Sequence, residues 1–169
     1  EGLRSLDEDD VLAGLNDFDA TVREHAIKLS ENFLDHSVPS KNLWAKLSQL
    51  TKDPSINVRY QLAFTLGEIK HSDKVLALSE VIQQDMGNAW MQAATLSSLS
   101  EGAGEMFGRI TQGSKANEAF LQQLVKIIGA KNNPDEVRQV IEFLAQSNDR
   151  SLSFSLVRAL GDGLQRAGS

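Results

Sequence analysis

The strongest constraint in this chain is a motif that returns. Residues 16–34, NDFDATVREHAIKLSENFL, align with residues 52–69, KDPSINVRYQLAFTLGEI, so that Val22-Arg23 falls on Val58-Arg59, 36 residues later. In both copies an aspartate, Asp17 or Asp53, stands five residues before the valine. Glu31 and Phe33 then fall on Gly67 and Ile69. A third copy at 84–99 keeps the aspartate as Asp85 but carries Trp90-Met91 in place of Val-Arg. A weaker fourth at 132–145 reads NNPDEVRQVIEFLA, with Val137-Arg138 and with Asn132 in the aspartate slot. A period of this length is the size of one helical hairpin, which cannot bury its apolar face alone and must stack on its neighbours.

The intervening stretches fit that reading. Residues 7–15, 40–51 and 72–84 each precede one copy, and their apolar residues recur at helical spacing: Leu43, Leu47 and Leu50; Val75, Leu78 and Ile82. Ser40 and Ser72 are expected N-caps, since a hydroxyl accepts from the free N–H groups of a first turn. Pro54 suits a first-turn position, where its missing N–H costs nothing. Asp7, Glu8, Asp9 and Asp10 suit the positive end of a helix dipole. Three helix–turn–helix units are therefore expected between residues 7 and 101. The glycine-rich stretch 102–114 breaks the rhythm, leaving room for a short helix over 103–111. Looser helices are expected at about 115–130, 134–147 and 150–166. No stretch reads as a strand. The fold class is all-α, one domain over residues 1–169.

The pattern of aspartate, Val-Arg, helically spaced Ala and Leu, then LGEI resembles the second helix of a HEAT repeat, closely over residues 7–101 and loosely over 115–166. The resemblance implies a right-handed alpha-alpha superhelix, a solenoid of antiparallel helix pairs with an extended concave surface. It also implies that Asp17, Arg23, Asp53, Arg59 and Asp85 form a ladder of side-chain bonds between units. Met91 cannot pair, so a weaker or apolar junction is expected there. More narrowly, VREHAIKLSENFL, NAWMQAATLSSL and LVRALGDGL in that order resemble the HEAT segment of large bacterial multidomain proteins described as membrane-bound dehydrogenases. Those proteins add a propeller-like domain and a domain with a CxxCH haem motif. This chain has no cysteine and no propeller pattern, so any redox chemistry would lie outside it. That resemblance would imply an extracytoplasmic or cell-envelope protein. The first residue is Glu1 rather than Met, which reads as an excised segment of something larger.

At 100° per residue, Val58, Leu62, Leu66 and Ile69 share one face and form a core stripe. Gly67 either lets a neighbouring helix approach or costs the helix about 1 kcal/mol relative to Ala. Trp90, standing in the valine slot, and Trp44 read as core. Tyr60 and Phe64 lie nearly opposite the stripe. They are either buried between units or act as aromatic anchors on a groove, where such residues dominate binding. Their counterparts are Glu24 and Lys28 in the preceding copy, and Gln92 and Leu96 in the following one. These six residues are the candidate partner-binding surface, suited to a protein or peptide or to flanking domains of the same chain.

Other chemistry finds little support. The net charge is −6 and no Lys/Arg run occurs, which argues against nucleic acid, whose binding demands phosphate neutralisation. His25, His36 and His71 fall in separate units without an HExxH, so no metal and no cofactor are expected. No GxSxG elbow is present, and GAGEMFG lacks the order of a phosphate loop. No apolar run approaches the roughly 20 residues of a membrane span, and the acidic N-terminus is not a signal peptide. The expectation is a non-catalytic binding or scaffolding module. The rivals are a rigid spacer in a multidomain redox protein, or a HEAT-like enzyme acting on a chromophore or a nucleic-acid base.

Overall fold

The computed structural model describes residues 6–113 and 117–168. These form ten α-helices joined by short turns and contain no strand. The helices are α1 (Glu8–Gly14), α2 (Ala20–Ser30), α3 (Lys41–Gln49), α4 (Ile56–Glu68), α5 (Lys74–Gln84), α6 (Ala89–Ser97), α7 (Ala103–Gln112), α8 (Glu118–Lys131), α9 (Pro134–Gln146) and α10 (Arg150–Ala167). Single 3-10 turns at Glu31–Phe33 and Leu50–Lys52 extend α2 and α3. The expected helix over 115–130 begins at Glu118; its first residues lie outside the described ones.

Local chemistry sets the boundaries. Asp7 caps α1 in a reciprocal box with Asp10, and Ser40 accepts from the N–H of Leu43 at the start of α3. Ser72 does not cap: α5 starts at Lys74, and Asp73 takes the N-cap position without a side-chain bond. Pro54 sits in the turn ahead of α4, whose N-cap is Ser55, so it is not a first-turn residue. Pro134 is, at the start of α9 behind the N-cap Asn133, whose side chain accepts from the N–H groups of Asp135 and Glu136.

The helices contact one another in two rows. The even-numbered helices touch in the order α2, α4, α6, α8, α10, while α1 meets α3, α5 meets α7, and α7 meets α9. One contiguous core runs through both rows, from Val11 and Leu15 to Leu156 and Leu160. Val58, Leu62, Leu66 and Ile69 are all buried in it, as their spacing requires. Each such side chain contributes about 1.5–3 kcal/mol relative to an exposed one.

The short helix expected over 103–111 is α7, and it packs on α5, α8 and α9 rather than standing apart from them. Two expectations need correction. The weak fourth copy is not a second helix: α9 packs in the odd row against α7, and Arg138 pairs with Asp135 on its own helix, at 3.3 Å. Trp90 is not core. It is 74% exposed, and Met91 is buried in its place.

Candidate functional site

The ladder residues come together in a directional pattern. Arg23 on α2 grips Asp53, ahead of α4, with both ends of its guanidinium: Nε to Oδ2 at 2.7 Å and Nη2 to Oδ1 at 2.9 Å. Arg59 on α4 grips Asp85, at the end of α5, in the same fork, at 2.7 and 2.8 Å. Bidentate geometry of this kind is among the strongest side-chain pairings. Each arginine also donates through Nη1 to a carbonyl six residues behind it, Arg23 to Asp17 at 2.9 Å and Arg59 to Asp53. The side chains of Arg23 and Asp53 are 12% and 3% exposed. Burial pushes the Asp53 carboxyl up, but the Arg23 hydrogen bonds, the Ser55 N–H and the charges of Arg23 and Arg59 outweigh it and hold the carboxyl below its ordinary range. The hydrogen bond to Asp53 raises Arg23 and the bond to Asp85 raises Arg59, each against the opposing effect of burial. Asp17 offers its carbonyl to Arg23, while its carboxylate accepts only the N–H of Asp19 among the described residues.

The third unit keeps the geometry and loses the charge. Gln92 donates through Nε2 to the carbonyl of Met86, again six residues back, at 2.7 Å. It therefore stands in the arginine position, with Met91 in the valine position. Gln92 is 8% exposed and is not a surface residue. The turn after α5 is one residue longer than the turn before α4, and that shift moves the counterparts of Tyr60 and Phe64 to Ala93 and Ser97, both exposed. Leu96 is half-buried against the core.

Of the remaining candidates, Glu24 is half-buried and Lys28 is exposed. Tyr60 is half-buried against the core, and Phe64 is 40% exposed, with its ring edge-on to Tyr60 at 5.0 Å between centroids. Phe64 lines an open groove of about 650 Å³ with Glu31, Glu68 and Ser97, bridging α2, α4 and α6. A Cβ on Gly67 would lie 2.9 Å from the Ser98 hydroxyl, so this glycine does serve close approach. Trp44 is half-buried on the other row and stacks on His71 at 3.9 Å.

Sequence reading missed a second groove on the even row. Gln122 and Lys126 of α8 and Phe154, Arg158 and Asp162 of α10 line about 410 Å³, and Phe154 is largely exposed. Its sequence signal was available, because Phe154, Val157 and Leu164 repeat at helical spacing on α10 and all are exposed. Among the described residues, no group of three or more His, Asp or Glu side chains could hold a metal ion, and no helix is long and apolar enough to cross a membrane. Compared with known protein families, curated proteins and solved structures, the chain matches none.

Proposed function

We propose that the chain is a solenoid of HEAT-like helix pairs that works as a non-catalytic binding or scaffolding module. The first helices are the odd row and the second helices the even row. The exposed side of the even row is the working surface, presented to a protein or peptide partner or to neighbouring domains of a larger chain. The observation that carries this reading is the placement of aromatics beside charges in two open grooves on the same row. Phe64 lies with Glu31 and Glu68, and Phe154 with Lys126, Arg158 and Asp162. Aromatic side chains are enriched at the centres of interfaces and polar groups at their rims, and each groove offers one ring with polar surroundings. The acidic groove and the groove of mixed charge lie apart along the row, so an extended ligand would be read for charge as well as for apolar positions.

Site-specific photo-crosslinking tests the proposal. A photoreactive residue at Phe64 or at Phe154 should give a discrete adduct in extract of the source cell. The same residue at Leu76, exposed on the odd row, should not. Identical adducts from all three positions would reject the surface. Absence of any adduct would favour a rigid spacer.

A further inference from the structure

Ser98 lines the Phe64 groove with a hydroxyl that no described residue uses. The residue is 5% exposed, and its side chain makes no hydrogen bond among the described residues. The hydroxyl lies over Gly67, where a Cβ would come within 2.9 Å of it, so the glycine keeps it open to the groove. Two carboxylates stand in the same lining. The fully buried Thr65 donates to Glu31 at 2.6 Å and fixes it, and Glu68 is exposed. Neither carboxylate is in an ion pair among the described residues.

The groove also gathers helix ends. Glu31 follows α2, Gly67 and Glu68 close α4, and Ser98 follows α6. This end of a helix carries the negative pole of its dipole. Neither α4 nor α6 has a basic residue in its last turn. Cations come to these ends from neighbouring helices instead. Lys74 of α5 feels the charge of Glu68, but its ammonium donates to the carbonyl of Gly67 at 3.2 Å. Lys131 of α8 donates to the carbonyl of Leu99 at 3.3 Å.

We infer that this groove receives the guanidinium of an arginine on an extended segment of a partner protein. Charge and shape select it. The ring of Phe64 is 40% exposed, and a planar guanidinium stacks on such a ring. Its donors then point outward in the plane, where a hydroxyl and two carboxylates accept them. An ammonium has fewer donors and is more strongly hydrated, so it gains less on entering. The inference rests on the even row being the working surface, and it names what the Phe64 groove of that surface holds.

Amide NMR of the full chain titrated with the peptide acetyl-Gly-Arg-Gly-amide tests it. Saturable shifts are expected around Glu31, Phe64, Gly67 and Ser98. The peptide with lysine in the centre should bind about threefold more weakly, and the neutral citrulline peptide should give no saturable shift. Ser98→Ala and Glu68→Gln should each weaken the arginine peptide about threefold, and both variants should fold, because neither side chain has a hydrogen bond to lose. Glu142→Gln, exposed on α9, should leave binding within about 1.5-fold. Equal binding of the lysine or citrulline peptide, indifference to Ser98→Ala, an equal loss in Glu142→Gln, or no saturable shift overturns the inference. The two readings fail separately. A crosslinked partner at Phe64 without arginine-selective shifts overturns this inference and leaves the working surface standing. Arginine-selective shifts without any crosslinked partner support the guanidinium site and reject the partner.

Discussion

The even row is held together by two different devices. Between α2 and α4, and again from α4 to the turn after α5, the junction is an arginine fork on a carboxylate. Between α8 and α10 the backbones themselves meet, and the ion pair of Lys126 with Asp162, at 3.9 Å, lies at a part-exposed edge of that contact. A Cβ added to Gly163 would lie 2.4 Å from the carbonyl oxygen of Lys126 and 2.9 Å from Cα of Gly129, and one added to Gly129 would lie 2.6 Å from the carbonyl oxygen of Leu160. The first device sets a register by charge and leaves space for side chains between helices. The second sets distance by the absence of a side chain and draws its strength from close dispersion contact. At α6 the neutral Gln92 keeps the carbonyl bond of the first device without its carboxylate partner. Lys131, at the end of α8, donates to the carbonyls of Leu99 and Ser100 just past α6.

Five substitutions sharpen or break this contrast. Asp53→Ala strands the guanidinium of Arg23 in a mostly buried setting, and the expected loss is about 3 kcal/mol in denaturant unfolding. A loss below about 1 kcal/mol would reduce the fork to the standing of an ordinary surface pair. Gly163→Ala forces a methyl group onto backbone atoms, and the expected loss is about 2 kcal/mol even after the gain in helix propensity. Its companion Gly161→Ala, on the same helix with open space around it, should instead stabilise by roughly 0.5–1 kcal/mol. Equal effects at the two glycines would remove close approach as the explanation. Gln92→Ala breaks the bond to Met86 and leaves its carbonyl unmatched, for an expected loss of about 1 kcal/mol. Trp90→Ser should shift stability by no more than about 0.5 kcal/mol, because its ring is largely in solvent.

The ladder was expected only through the resemblance to HEAT repeats, since an aspartate ahead of a helix also reads as a cap; the pairs Arg23–Asp53 and Arg59–Asp85 are present in the structure. The glycine junction was not legible. Gly129 and Gly163 read only as weak helix formers until both helices are in place. Trp90 was misplaced by a single extra turn residue, which rotates every later assignment by 100° and sends the intended core position into solvent. Val137-Arg138 repeats the local motif on a first helix, since a short pattern records amphipathicity and not the row a helix will join. The candidate surface was half legible: Phe64 emerged from its position opposite the core stripe, whereas Phe154 lay where the repeat had faded.

Hydrogen exchange of the unmodified chain across a pH series tests the two-device account most directly. The Asp53 carboxyl is held below its ordinary range, so its contribution is full above the unfolded value of about 3.9 and is lost as pH falls through the lower folded value. Glycine contact carries no proton. Between neutral pH and about pH 3, amides of α2 and α4 should lose protection well before those of α8 and α10. Simultaneous loss in all four helices, or earlier loss in α8 and α10, would contradict the division of the molecule into a charge-held and a contact-held half.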